Sequence, residues 1–324
     1  MILVIGSDEI VEILQGNVGV ASLRRDLVRV TGEDGANFLQ GQITQDINSI
    51  EQRVSKTTYV LEPDGKVCVY GRISRLADGW LFDCEPGFGE LLLSRLKRYC
   101  IRVDVELTCT QDIFVALRSW DSSLLDAIVN NRTYSAIFDR TLGTIRGALR
   151  SVDFLGEEGD GFHEVDILGE EGDGCHDALV LAKSDLEFLR ILSGEIRFGC
   201  EITQGSLPQE LREIESAVAF GKGCYTGQEL VERVASREAR PPKRVHWSRF
   251  KPAKNIISEA LADYGDLSMI SQPVEVLSKS KVVGRLSSLA ISEEFAFASM
   301  AINRSVGDGD LLGFTFLNCE FTSY

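Results

Sequence analysis

Hydrophobic and polar positions alternate with a period of two along much of the chain, interrupted by short stretches of helical spacing. Asp26–Val30 reads as a strand, and the segment TGEDGANFLQGQITQDI that follows places Phe38 and Leu39 on the buried edge of a short helix. Strand alternation returns in Thr58–Leu61 and in Val67–Ile73. The intervening Glu62-Pro-Asp-Gly makes the two a hairpin turning at Asp64-Gly65. Trp80–Cys84 continues the sheet. Glu90–Tyr99 has helical spacing with basic residues in its last turn, and Ile101–Leu107 alternates again. The order of elements is α+β, without the regular alternation of a βαβ protein. Pro241-Pro242 ends any preceding helix and marks a boundary. Beyond it, VEVLSKSKVVGRLSSLAIS and EEFAFASMAIN alternate around turns, predicting a small closed or sandwiched β unit over 245–324 that follows an α+β region over 1–240.

The formal charge of -15 over 324 residues excludes a protein that coats nucleic acid or a membrane surface, since both need broad positive surface. No apolar run approaches the ~18 residues needed to span a bilayer. The opening MILVIGSDEI lacks the basic start and small-residue cleavage site of a secretory leader, so a cytoplasmic protein is expected. Eight dispersed cysteines with no C-x-x-C pair give no zinc, cluster or dithiol motif, and no resident metal is expected. Neither G-x-G-x-x-G after a strand nor G-x-x-x-x-G-K-[ST] occurs. Between residues 152 and 177 stands a tandem duplication, VDFLGEEGDGFHE then VDILGEEGDGCHD, identical at ten of thirteen positions. Its acids with His163 or His176 form no known metal-loop spacing, and an exposed, glycine-rich loop is the simpler reading.

The chemistry concentrates in FGKGCYTGQELVERV, Phe220–Val234. Thr226-Gly-Gln-Glu229 has the form of a capping box, so a helix is expected from about Gly227, with Tyr225 and Leu230 as its hydrophobic staple. Cys224 would then precede a helix N-terminus, with Lys222 two residues away, and both effects favour a thiolate. Gly221, Gly223 and Gly227 suit an exposed reactive loop. The alternative is a turn with a small buried cysteine. Arg233, Arg237 and Arg240, with Lys243 and Arg244, form a basic stripe that is either a solvated face or a dock for an acidic partner.

KGCYTGQELVERVASR, at 222–237, resembles the signature of the YgfZ-type folate-binding proteins, relatives of the glycine-cleavage T-protein, an aminomethyltransferase. Matching pieces stand in the same order at 28–47, 59–73, 189–199, 206–211 and 281–288. The resemblance implies a ring of α+β modules around a central folate pocket, with a C-terminal β-barrel. It also implies a tetrahydrofolate-linked role in assembly or repair of iron–sulfur clusters, in support of enzymes such as transfer-RNA methylthiotransferases. The partners implied are a folate and iron–sulfur enzymes or cluster-assembly proteins. Cys224 would be the functional thiol, with Lys222 beside it. Gln40 and Gln42 become candidates for the pterin edge, Arg190 for bracing the pocket or pairing with the glutamate tail, and Tyr225 and Gln228 for further folate contacts. A glutamate that contacts the pterin in a G-E-x-G motif has two matches here, Glu157 and Glu170. Glu170 is preferred because its copy runs directly into the apolar strand at Ala178–Ala182. A true aminomethyltransferase carries an acidic pair where this chain has Val69 and Tyr70, and neither replaces a carboxylate. Three functions remain to be compared: a folate-binding accessory protein for iron–sulfur enzymes, a tetrahydrofolate-dependent one-carbon transferase, and a folate-sensing docking module.

Overall fold

The computed structural model describes residues 2–121, 123, 125–126, 134–144, 147–156, 178–211, 214–236, 241–251, 273–292, 295–307, 310–316 and 319–323. Its strands are β1 (Ile2–Ile5), β2 (Gly19–Thr31), β3 (Ser55–Leu61), β4 (Val67–Arg75), β5 (Trp80–Cys84), β6 (Glu106–Ser119), β7 (Ala136–Thr144), β8 (Gly147–Leu155), β9 (Leu179–Val180), β10 (Lys243–Lys251), β11 (Glu275–Ser278), β12 (Lys281–Ile291), β13 (Ala296–Asn303), β14 (Gly313–Phe316) and β15 (Cys319–Ser323). The helices are α1 (Asp8–Leu14), α2 (Gly35–Gln42), α3 (Gly89–Lys97), α4 (Lys183–Leu192) and α5 (Gln228–Ser236).

One sheet runs β3, β4, β5, β2, β6, β8, β7, with β9 added in parallel to β2. Its two ends approach each other where Val54 bridges Ile137, so the sheet curls into a half-barrel. The predicted hairpin is present: Thr58 pairs with Gly71 and Tyr59 with Tyr70, and Gly65 takes a φ of 78° at the turn. Ile101–Leu107 departs from its predicted strand, because β6 begins only at Glu106. Arg102 adopts a φ of 56°, and Asp104 is held by Asp34, whose carboxylate accepts from the Asp104 amide at 2.8 Å. The backbone there serves the turn before α2 and is lost to the ladder.

The second sheet runs β1, β12, β11, β14, β15, β10, β13, and it closes because β12 also pairs with β13. This is the barrel expected of the C-terminal region. Residues 2–5, which the sequence leaves with the first region, add a parallel strand to β12 through Ile2 opposite Ser288. Val4, with Ile10 and Ile13 of α1, is buried in the same cluster as Leu186, Phe188 and Leu189 of α4, and these apolar contacts seat the barrel on the half-barrel.

A buried carboxylate adds specificity to that junction. Glu201 Oε2 accepts from Arg190 Nη1 at 3.1 Å and from the Arg197 amide at 3.0 Å. Its Oε1 accepts from Ser288 Oγ at 2.6 Å and from Ser299 Oγ at 2.8 Å, reaching two barrel strands. Burial alone would raise the Glu201 pKa, but Arg190 and the two hydroxyls outweigh it and hold the carboxyl below its ordinary value of 4.5. A depressed carboxylate contributes stability that is fully present above pH 4.5 and lost as pH falls through the lower folded value. Glu201→Gln should therefore destabilise the protein at pH 7, by up to about 3 kcal/mol, because it removes one of the two carboxylates that balance the buried Arg190 guanidinium and leaves Glu187 alone to pair with it. Urea unfolding should give a lower midpoint with unchanged slope, and the difference from the parent should shrink as the pH is taken below 4.5.

Candidate functional site

Strand alternation alone does not account for Arg25, Arg72 and Arg118 of β2, β4 and β6, which are all buried, the last two in largely apolar runs. The fold converges them on shared acids. Asp83 Oδ1 accepts from Arg25 Nε and Arg72 Nε, each at 2.8 Å. Asp153 accepts from Arg72 Nη1 at 2.6 Å and from Arg118 Nη1 at 2.7 Å. Arg25 also pairs with Glu85. The Arg72 guanidinium lies 5.0 Å from the centre of the Phe114 ring and 4.8 Å from that of Phe138. Burial would raise the Asp153 pKa, yet Arg118 and Arg72 overcome it and lower the value, so the carboxylate stays ionised.

This ladder forms the floor of a cavity of about 370 Å³, within the ~300–1,000 Å³ usual for small-molecule sites. Leu23, Tyr70, Phe138, Ile196 and Phe198 supply apolar and aromatic wall. Gly71 also lines it, and a Cβ there would lie 2.3 Å from the Asp83 carbonyl oxygen, so only glycine lets β4 and β5 approach at this point. Tyr70 faces the cavity, while Val69 is fully buried in the half-barrel core. Burial raises the Tyr70 phenol pKa, which keeps its hydroxyl protonated. The four acids of the lining, Glu85, Asp153, Glu187 and Glu195, each have an arginine within ion-pair distance. None is placed as an unencumbered base.

Of the sequence-derived candidates among the described residues, Arg190 alone lines this cavity. Its guanidinium is shared among Glu187 at 2.9 Å, Glu201 at 3.1 Å, the Glu195 carbonyl at 2.6 Å and Ser288 Oγ at 3.2 Å. Its guanidinium is thus engaged by groups of the protein itself. Gln40 is engaged at the turn after α2, its Nε2 donating to Asp46 at 3.0 Å and its Oε1 accepting from the Ile47 amide at 2.9 Å. Gln42 Oε1 accepts from Arg95 Nη1 at 3.2 Å. Gln228, at the first position of α5, lies 3.5 Å from Glu232. Glu157, Glu170, His163, His176, Arg237 and Arg240 lie outside the described residues. Among the described residues, no group of three or more His, Cys, Asp or Glu is arranged to hold a metal ion.

The Cys224 loop is a second, separate centre. Cys224 is exposed and unpaired in a disulfide. The reciprocal capping box is replaced by a tie to α2: the Thr226 amide donates to the Gly41 carbonyl at 3.0 Å and its hydroxyl to the same oxygen at 3.4 Å. Helix α5 starts one residue later than predicted, at Gln228. Gly227, with a φ of 82°, rests against the Asp64-Gly65 turn, where a Cβ would come within 2.6 Å of the Glu62 carbonyl. Lys222 points away from solvent chemistry: Nζ donates to the carbonyls of Gln40, Ile43 and Gln45, each at 2.8 Å. Its ammonium also lies 5.1 Å from the centre of the buried Tyr225 ring. Burial pulls the amine down to about 8, with Asp46 opposing. All three ammonium hydrogens are thus spent on backbone, and Lys222 positions the loop that carries the thiol.

Sequence reasoning missed Arg25, Arg72, Arg118 and Arg140 of the cavity. For Arg72 and Arg118 the sequence signal is charge inside a largely apolar strand pattern, a placement that requires buried partners; Arg25 and Arg140 stand beside other charges and carry no such signal.

No protein-family model matches the chain. A "tRNA-modifying protein YgfZ" of Vibrio vulnificus (strain CMCP6) is 25% identical over 212 residues, covering 65% of this chain and 64% of that protein. An "iron-sulfur cluster assembly factor IBA57 homolog, mitochondrial" of Pyricularia oryzae is 26% identical over 220 residues, covering 66% of this chain and 52% of its own length. The matched stretch thus spans under two thirds of either relative. Among solved structures, glycine cleavage system aminomethyltransferase T from Bartonella henselae superposes with a TM-score of 0.70 over 97% of this chain and 88% of its own, at 12% identity. The chain therefore resembles YgfZ-type proteins in sequence and has the aminomethyltransferase T fold, as its motifs imply.

Lys222→Met should keep the fold but release the loop, at a cost of about 1–3 kcal/mol for the lost charged hydrogen bonds. Hydrogen exchange should rise across residues 219–227 and at the end of α2, with the barrel unaffected. Unchanged protection there would show that Lys222 is not the anchor.

Proposed function

We propose that this protein is a cytoplasmic tetrahydrofolate-binding accessory factor for iron–sulfur cluster assembly or repair, serving iron–sulfur enzymes such as those that modify transfer RNA, with Cys224 as its working thiol. One observation carries the reading: an arginine-rich cavity, open to solvent on one side, has a lining that does not include the exposed cysteine on its anchored loop. The cavity fits a reduced folate in size, in its aromatic wall, in the phenol of Tyr70 as a hydrogen-bonding group, and in cations able to meet glutamate carboxylates. Bound tetrahydrofolate would supply a carrier of one-carbon units. The protein's own residues hold it, keep water from its ring, and keep every acid of the lining beside a guanidinium.

That last feature weighs against one-carbon transfer on the pattern of an aminomethyltransferase. Such transfer needs a carboxylate free to stabilise a developing cation, and at the corresponding place this chain presents the protonated Tyr70. The thiol has a different task. One cysteine cannot retain a cluster, since cysteine-ligated clusters take four ligands, so Cys224 would act as a transient ligand with the partner enzyme or assembly protein supplying the rest. The iron–sulfur unit is then cargo. Exposure of Cys224 is what such a hand-over requires.

Cys224→Ala should leave tetrahydrofolate affinity within about twofold, since the residue does not line the cavity, while activity of an iron–sulfur client in cells carrying the variant should fall at least about fivefold. Full client activity would remove Cys224 from the function. Failure of the parent protein to bind tetrahydrofolate in calorimetry would remove the folate, and accumulation of methylene-tetrahydrofolate from an aminomethyl donor would favour the transferase instead.

A further inference from the structure

Eight cationic side chains line the cavity, and six of them are accounted for by acids of the protein. Arg25, Arg72 and Arg118 share Asp83, Glu85 and Asp153. Arg190 and Arg197 share Glu187, Glu201 and Glu85, and Arg140 faces Glu195 at 3.9 Å. Six cations thus meet six carboxylates. The two left over are Arg24 of β2 and Lys183 of α4, both exposed and neither within ion-pair distance of an acid among the described residues. Lys183 also sits in the first turn of α4, where the helix dipole disfavours a cation.

Resting on the folate reading above, we infer that Arg24 and Lys183 are the tail-binding pair of the site: they receive the two carboxylates of the ligand's terminal glutamate at the solvent side, while the arginine ladder and the aromatic wall take the ring. The number of free cations equals the number of carboxylates on one glutamate, and both cations reach the same cavity from different elements, a strand and a helix. A guanidinium offers a paired donor edge to one carboxylate, and an ammonium on a flexible stem follows the other. Because both are exposed, each contact is screened and modest, so the pair selects for the tail without dominating affinity.

The test compares tetrahydrofolate with tetrahydropteroate, which has the same ring system and no glutamate, by calorimetry on the full-length protein and on Arg24→Gln/Lys183→Gln. Two exposed ion pairs of ordinary strength predict that the parent binds tetrahydrofolate roughly 2- to 30-fold more tightly than tetrahydropteroate. In the double variant the two ligands should bind within about twofold of each other, with tetrahydropteroate affinity and the thermal midpoint unchanged from the parent. The preference should also shrink as salt is raised. Equal affinity of the two ligands for the parent, or a preference that survives in the double variant, would overturn the assignment and leave the folate reading standing. Absence of binding by either ligand would defeat the folate reading itself.

Discussion

The structure depends on burying arginines next to carboxylates. Glu201 is the clearest case: one carboxylate with no exposed side-chain surface collects Arg190, a backbone amide and two hydroxyls from barrel strands. Each of those groups would be costly to bury alone, and together they satisfy one another. The consequence is geometric. Helix α4 and the 195–201 segment are fixed against the barrel, and it is these elements that close the cavity over the half-barrel strands. The same logic repeats on the floor, where Asp83 and Asp153 alternate with Arg25, Arg72 and Arg118. A buried network of this kind contributes less to net stability than to holding one arrangement, because any shift strands a charge.

Lys222 shows a charge used in another way. An ammonium beside a cysteine in sequence suggests activation of the thiol, but its three hydrogens go to three carbonyls around the end of α2 and the turn beyond it. The end of a helix exposes unsatisfied carbonyls, and a cation is the natural cap for them. The loop containing Cys224 is thereby pinned at Lys222 and Thr226, on both sides of a residue that stays exposed. A thiol that must meet a partner needs such presentation, with the backbone fixed and the sulfur outside.

What could be read from the sequence was what is local. The β3–β4 hairpin followed from alternation around Asp64-Gly65, α3 from its spacing, and the barrel strands β11, β12 and β13 from alternation around turns. The motif around Cys224 carried the resemblance. Long-range pairings were invisible: β1 joins the barrel through β12, some 286 positions away at Ile2 and Ser288, and the partners of Lys222 lie 177 to 182 residues upstream. Ile101–Leu107 looked like a strand because its side chains alternate, yet the backbone there was claimed by Asp34. The capping box failed for a similar reason, since the Gly41 carbonyl takes the Thr226 amide that Glu229 would have accepted from. The cavity was hidden because its lining comes from segments spread between Ser22 and Phe198, and no single one of them shows that they converge.

The separation of cavity and thiol gives the hairpin a central place. Tyr70 and Gly71 of β4 face the cavity, and Gly65 at the turn of the same hairpin lies under Gly227 and Leu230, beside the Cys224 loop. Five residues of extended chain span at most about 17 Å, so the two centres share one short, rigid piece of backbone without sharing a side chain. An aminomethyltransferase needs its reacting groups and its folate in one chamber. Here the position that would carry the acid holds a phenol, the lining acids are all committed to arginines, and the Cys224 sulfur is outside. The aminomethyltransferase T fold thus carries an arginine-lined cavity and, apart from its lining, an exposed thiol. That division suits a protein whose bound ligand and whose partner must be engaged at the same time.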